Sequence, residues 1–161
     1  MNRNLQCSLV ILVSALTALT QAADRSPSYE DFAVSNIFKG KPASVDLKSH
    51  PEARHFRTEL LRQTAEGPNF ASHYRLVIWG CGTSCQQFAI VDCQTGHVYF
   101  PANLPYVTYT HYYGDDIGLQ FRANSRLLIV NGSPKEASKT RRYYYLWQTN
   151  ALRLLRSDLM K

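Results

Sequence analysis

The sequence lacks the short motifs that mark the common catalytic and nucleotide-binding sites. It contains no G-x-S-x-G nucleophile motif, no G-x-x-x-x-G-K phosphate loop and no H-E-x-x-H zinc motif. It has no C-x-x-C pair either, so the spacing of thioredoxin-like redox motifs is missing. The sequence therefore indicates no familiar enzyme class, and we expect neither a metal nor a cofactor.

Long apolar runs are also scarce, and the one present lies near the N-terminus, at residues 9–19. It follows Arg3 and leads to a small-residue cleavage site at Ala22. It is too short to span a bilayer, which takes about 20 residues. We interpret residues 1–22 as a secretory signal peptide whose removal takes Cys7 with it. The mature protein is expected to be periplasmic or secreted, with no membrane span.

Cysteine is rare in the remainder. Residues 23–161 are expected to form a single β-rich domain, and they hold only Cys81, Cys85 and Cys93. Disulfides persist in an oxidising compartment, so one of these three cysteines is left without a partner.

Acidic residues are depleted in the C-terminal part of the chain. Residues 23–116 carry eight Lys/Arg and ten Asp/Glu, a net charge of −2, whereas residues 117–161 carry nine and two, a net charge of +7. This asymmetry favours an anionic partner, either an envelope protein or an anionic envelope surface. An ordinary solvated polar face would give the same counts. Nucleic acid is not the expected partner of an exported protein.

One helix is predicted, in the N-terminal part of the domain. Pro51 suits the first turn of a helix, and Ser49 or His50 is placed to cap it. Apolar residues then recur at helical spacing until the Gly67-Pro68 pair ends the helix. A short strand is expected before it, at residues 43–47.

The rest of the chain is predicted to form two similar units, at about residues 72–100 and 124–155. Each contains an apolar strand, a loop, a second strand, a turn and a third strand. Gly96 and Asn150 occupy the turns, and both residue types tolerate positive φ. A further strand is expected over residues 106–110. We predict a mainly β (α+β) fold of antiparallel meanders in two three-stranded units, covered by the helix.

Cys81 and Cys85 lie at the tip of the first predicted hairpin. If Gly80 and Gln86 are the last paired residues, the two cysteines approach to the Cα separation of a disulfide, about 5.5 Å. We predict a structural disulfide that fixes the shape of the loop. A redox-active pair is the alternative, and a metal site is not expected because no second pair of ligands lies at a matching spacing.

The same register places Cys93 opposite His73, at the far end of the hairpin. At about 3.3 Å per residue, Cys93 would lie roughly 25 Å from the loop tip. A thiol beside an imidazole is the minimal arrangement of an activated nucleophile. The alternative function is therefore a small envelope hydrolase or thiol enzyme that uses His73 with Cys93 or Asp92. A small apolar thiol packed near a turn explains Cys93 more simply.

Tyrosines cluster beside cations in the second half of the chain. Exposed Tyr next to Arg is typical of the residues that dominate binding at protein interfaces. Cross-strand aromatic packing would explain the same clusters. We expect a binding surface that includes five residues: Tyr112, Tyr113, Arg141, Arg142 and Tyr144.

Three segments resemble the N-F-A-x-H-Y…W-G-C-G-T-x-C…D-x-x-T-G pattern of a family of small exported bacterial proteins of unknown function: residues 67–74, 79–85 and 92–96. The resemblance implies a periplasmic or secreted bacterial protein and brings no activity. It implies that four residues belong to the family pattern: His73, Cys81, Cys85 and Asp92. Cys93 lies outside that pattern. From the disulfide loop, the basic surface rich in Tyr and Arg, and the lack of a coherent catalytic set, we expect an exported, non-enzymatic binding domain, plausible as an inhibitor or immunity-type protein that acts on an envelope protein.

Overall fold

A computed structural model describes residues 25–109, 118–135 and 139–160. The prediction of a mainly β fold with one covering helix is confirmed. The described residues form one antiparallel eight-stranded sheet and one α-helix, α1 (Arg57–Thr64). The strands are β1 (Tyr74–Gly80), β2 (Cys85–Asp92), β3 (Val98–Tyr99), β4 (Tyr106–Thr108), β5 (Gly118–Phe121), β6 (Leu127–Pro134), β7 (Arg141–Gln148) and β8 (Ala151–Asp158). The predicted signal peptide lies outside the described residues. β4 ends at Thr108, two residues earlier than the predicted strand.

The first half of the sheet, β1 to β4, is built around the predicted hairpin. Gly80 pairs with Gln86 and Tyr74 with Asp92, so the register inferred from the cysteine spacing is confirmed. β3 and β4 both pair with β2, at its end and its beginning respectively. Gly96, in the turn between β2 and β3, has a φ of 82°. A Cβ there would lie 2.0 Å from the Ser44 carbonyl oxygen, so both the space and the backbone conformation require glycine.

The second half of the sheet, β5 to β8, repeats the meander. β7 pairs with β6 on one side and with β8 on the other. The β7–β8 turn places Thr149 at φ 49° and Asn150 at φ 58°. Two consecutive positive φ values are the conformation of a type I′ hairpin turn, as predicted for this position.

The two halves join where β4 meets the end of β6. Val107 pairs with Pro134 and Thr108 with Ser133. A Cβ on Gly132 would lie 2.4 Å from the Thr108 carbonyl oxygen, so the two backbones approach this closely only because residue 132 has no side chain.

The sheet folds over at this junction, so that its two halves pack face to face. The Trp147 indole of β7 lies 5.3 Å from the Tyr74 ring and 5.6 Å from the Tyr99 ring, although these residues belong to opposite halves. The inner faces form the main core, whose most buried members are Phe70, Leu76, Phe88, Ile90, Leu104, Val107, Leu128 and Val130. Each such side chain contributes about 1.5–3 kcal/mol when fully buried.

The helix covers the outer face of the first half. Leu60 and Ala53 pack with Val77, Ala89 and other side chains that point away from the main core. β1 and β2 are therefore apolar on both faces, as their continuous apolar runs indicate.

The predicted helix is interrupted. It begins as a 3₁₀ turn at Pro51–Arg54, and the His50 imidazole caps this turn by accepting a hydrogen bond from the Glu52 N–H. The α-helical part begins only at Arg57 and ends at Thr64, three residues before Gly67. The prediction of a strand at residues 43–47 is wrong: the segment bonds the turn after β2, with the Ala43 N–H donating to the Cys93 carbonyl oxygen, but it forms no strand.

Side-chain amides close the outer edge of β1. The Gln63 carboxamide donates to the Ile78 carbonyl oxygen and accepts from the Ile78 N–H, and the Asn69 carboxamide does the same for Leu76. Each amide thus replaces one residue of a missing neighbouring strand. The opposite edge strand, β8, carries Arg153 and a register shift in its pairing with β7, two features that disfavour the addition of a further strand.

Among the described residues, no helix combines the length and apolar character needed to cross a membrane.

Candidate functional site

The folded sheet has two ends with different construction. We call one the loop end: residues 81–85, 108–109, 133–135 and 139–142, which lie where the two halves join. We call the other the turn end: residues 33–36, 71–74, 93–97, 122–126 and 147–150, where the free ends of the two meanders meet.

The loop end carries the predicted disulfide. Cys81 and Cys85 are bonded, with their Cα atoms 5.1 Å apart, and the Cys81 N–H donates to the Cys85 carbonyl oxygen at 3.2 Å. The Ser84 carbonyl oxygen accepts from the Tyr109 N–H at 2.9 Å, which ties the loop to β4. Gly82 and Thr83 stay exposed at its tip. The loop is thus fixed at its base and open to a partner at its tip.

A groove of about 470 Å³ lies beside this loop. The disulfide forms one wall, and Gln87, Tyr106 and Thr108 of β2 and β4 form the other. We call it the loop-end groove. A concave, largely pre-formed surface of this kind suits the insertion of one or two side chains of a partner.

A group of cations borders the loop end on the side of the β6–β7 connection. We call Lys135, Lys139, Arg141 and Arg142 the cationic rim. Lys135 and Lys139 are exposed, whereas Arg141 and Arg142 are half-buried at the beginning of β7. The Arg142 guanidinium donates to the Asn131 carboxamide oxygen at 2.9 Å, so this side chain is held in place. Two of the predicted binding residues, Arg141 and Arg142, therefore lie at the loop end, on β7, which is three positions along the sheet from β2.

Asp158 is the described acid nearest the rim, since it pairs with Arg142 across β7 and β8. Hydrogen bonds from the Ser26 hydroxyl and the Arg156 guanidinium lower the pKa of its carboxyl group. The carboxylate therefore stays ionised, and the ion pair with Arg156 offsets its charge.

The expectation that Tyr144 contributes an exposed ring is wrong. Its residue is only 4% exposed. Strand alternation places it on the face of β7 opposite Tyr145 and Trp147, which belong to the main core, and there its hydroxyl bonds the Asp158 carboxylate. Tyr112 and Tyr113 lie outside the described residues. The described ends of their segment are tied to the loop end, through Tyr109 on one side and the Leu119 N–H, which bonds the Gln86 carboxamide oxygen, on the other.

Cys93 is unpaired and fully buried, as its place at the far end of the hairpin predicts. Its N–H donates to the His73 carbonyl oxygen at 2.8 Å, so the two residues do face each other in the ladder. Burial, reinforced by the charge of Asp92, raises the pKa of the Cys93 thiol to about 11. An activated thiol needs the opposite shift. Cys93 is therefore a neutral, packed side chain.

Asp92 and His73 each have a local structural explanation. The Asp92 carboxylate accepts from the Gln94 N–H at 2.8 Å, and its carbonyl oxygen accepts from the Gly96 N–H, which shapes the turn. The His73 ring lies 4.2 Å from the Tyr74 ring and lines the cleft at the turn end. Among the described residues, these contacts bring Cys93 and His73 close together but do not activate the thiol.

Within residues 25–109, 118–135 and 139–160, no three His, Cys, Asp or Glu side chains cluster as metal ligands would.

The chain matches no protein-family model, no curated protein and no solved structure. The case for a function therefore rests on the geometry of the two ends.

Proposed function

We propose that this protein is an exported, non-enzymatic binding domain that docks another protein of the cell envelope through its loop end. The observation that carries the proposal is the exposed loop between Cys81 and Cys85, held by a disulfide beside a groove of about 470 Å³. A loop held in one shape loses little conformational entropy on binding, so more of the contact energy appears as affinity.

The cationic rim indicates the character of the partner. Four Lys/Arg side chains lie at the loop end, and the nearby Asp158 carboxylate forms an ion pair with Arg156. An acidic patch on the partner would match this rim, speed association and orient the complex. An inhibitor or immunity-type protein uses a surface of this kind to cover a site on its target.

Two other modes of action have less support. Strand addition at β1 is blocked by the Gln63 and Asn69 amides, and β8 carries features that disfavour it. A thiol enzyme lacks an activated nucleophile, because the pKa of the Cys93 thiol is raised to about 11. An envelope hydrolase that depends on His73 would be revealed by activity on envelope substrates that disappears in His73→Ala.

The proposal is tested by affinity enrichment from envelope extract with charge-reversed bait proteins. We expect the wild-type protein to retain a partner in stoichiometric amount, and a Lys139→Glu/Arg141→Glu variant to lose it. A matched control, Lys48→Glu/Arg54→Glu, makes the same change in charge at two exposed residues outside the loop end. It should retain the partner. Equal capture by both variants, or no stoichiometric partner for the wild type, would contradict the proposal.

A further inference from the structure

The turn end contains a cleft of about 550 Å³, the size of a small-molecule site. Three parts of the chain form its walls: residues 33–36 of the N-terminal segment, residues 71–74 before and at the start of β1, and residues 147–150 of the β7–β8 turn. We call it the turn-end cleft. It lies at the opposite end of the sheet from the loop-end groove.

The wall beside His73 is held in an unusual backbone conformation. Ala71 and Ser72 have φ values of 44° and 79°, which non-glycine residues adopt at a cost of order 1–3 kcal/mol. Two hydrogen bonds to the second half of the protein hold this segment. The Ala71 N–H donates to the Ser125 carbonyl oxygen, and the Ser72 N–H donates to the Ala123 carbonyl oxygen. The Ser72 hydroxyl also bonds the Asn36 carbonyl oxygen. Such strain persists where surrounding contacts fix it, and it is concentrated at binding and active sites.

Three carboxamide side chains belong to the polar lining of the cleft. Asn36, Gln148 and Asn150 line it and are all exposed to solvent. The Asn150 oxygen accepts from the Tyr74 hydroxyl at 3.2 Å, which leaves its NH₂ group as a donor. Each carboxamide offers both donors and acceptors at fixed spacing. Neighbouring hydroxyl groups of a sugar present the same combination.

The charge of the lining has one sign. Arg126 lines the cleft and is half-buried, and the lining contains no Asp or Glu. In the part of the chain that the structure describes, Arg126 forms no ion pair. A guanidinium without an acidic partner favours a carboxylate, which it binds through two parallel hydrogen bonds.

Aromatic rings complete the cleft. The half-buried rings of His73 and Tyr74 line it 4.2 Å apart, and the Trp147 indole, only 3% exposed, packs behind them at 5.3 Å from the Tyr74 ring. Trp and Tyr combine an apolar face with a polar tip. The apolar C–H face of a pyranose can lie on such rings while its hydroxyl groups bond the surrounding amides.

We propose that the turn-end cleft binds a small carboxylated sugar. Arg126 receives the carboxylate, the carboxamides of Gln148 and Asn150 bond the ring hydroxyls, and the His73 and Tyr74 rings, with Trp147 packed behind them, support the apolar face. This site is separate from the protein-binding surface at the loop end and does not depend on it.

The test is a titration of the purified protein with D-glucuronate, followed by calorimetry and by the NMR signals of the Trp147 indole and the Asn150 carboxamide. We expect saturable binding that shifts these signals, and weaker binding of D-glucose, which lacks the carboxylate. Arg126→Gln should weaken glucuronate binding about tenfold or more, because it removes a charge-assisted contact. Asn150→Asp keeps the acceptor for Tyr74 but adds a negative charge, and should also weaken binding.

Two controls separate this proposal from a folding defect and from the loop-end function. Arg153→Gln removes an exposed arginine outside the cleft and should leave the affinity unchanged. Lys139→Glu/Arg141→Glu should also bind glucuronate as the wild type does. No saturable shift at the highest soluble concentration, equal affinity in Arg126→Gln, or shifts confined to the loop end would each overturn the proposal.

Discussion

At the turn end, backbone groups from separate segments of the chain bond one another. At the loop end, a disulfide fixes the shape of the loop between β1 and β2. Ala71 and Ser72 donate to residues 123 and 125 of the other half of the sheet, and Asp46 N–H donates to the Gly96 carbonyl oxygen. The loop end has the Cys81–Cys85 disulfide and exposed cations. The difference indicates that stability depends mainly on the turn end, and that the loop end is free to serve a partner.

The largest loss of stability is expected from Gly96→Ala at the turn end. The new Cβ would meet the Ser44 carbonyl oxygen at 2.0 Å, in a backbone conformation with φ 82°. We expect a loss of about 3 kcal/mol or more in the free energy of unfolding, measured by urea denaturation. Gly80→Ala is the matched control at the loop end, because a Cβ there meets nothing within 4 Å. Equal losses of unfolding free energy in the two variants would contradict the larger contribution of the turn end to stability.

A smaller loss is expected from Gln63→Leu, which tests whether side-chain amides close the β1 edge. The variant leaves the Ile78 N–H and carbonyl oxygen without their partner, and we expect about 2 kcal/mol of destabilisation. Gln94→Leu, at an exposed position in a turn, should change the free energy of unfolding by less than about 0.5 kcal/mol. If both variants are equally stable, the amides are not essential to the edge.

Removal of the disulfide should have a modest effect on stability and a large one on partner capture. For a five-residue loop, the loop-closure model gives at most about 2 kcal/mol. We therefore expect Cys81→Ser/Cys85→Ser to remain folded by circular dichroism but to retain much less of the envelope partner. Full retention of the partner would show that the fixed shape of the loop is not what the partner recognises.

The last effect is confined to high pH and comes from the titration of Cys93. Its pKa is raised to about 11 by burial, above the ordinary value near 9 of an exposed thiol. The folded state thus disfavours the thiolate, so stability that is present below pH 9 is lost as the pH rises towards 11. Cys93→Ala should lose stability less steeply between pH 9 and 10.5. Tyr145, with its pKa raised to about 12, contributes equally in both proteins.

Local spacing was sufficient to predict the parts of the fold that depend on neighbouring residues. The four-residue spacing of Cys81 and Cys85 fixes the hairpin register, and hence the place of Cys93 opposite His73. The turn residues Gly96 and Asn150 indicate where the meanders reverse. These features are determined within one hairpin, which is why the sequence pattern reveals them.

Contacts between distant segments could not be predicted in the same way. The pairing of Gln63 and Asn69 with β1 requires the helix to lie along the strand edge. The burial of Tyr144 depends on which face of β7 the rest of the chain covers, and alternation alone does not decide that. Arg126, Gln148 and Asn150 carry no motif and meet only when the sheet folds over, so the turn-end cleft leaves no signal in the sequence.

The central claim, that the partner docks at the loop end, is tested most directly by site-specific photocrosslinking. A photoreactive p-benzoylphenylalanine is placed at position 83, at the exposed loop tip, or at position 94, an exposed site at the turn end. The account predicts a covalent adduct with one envelope protein from position 83 and none from position 94. An adduct formed from position 94 but not from position 83 would contradict it.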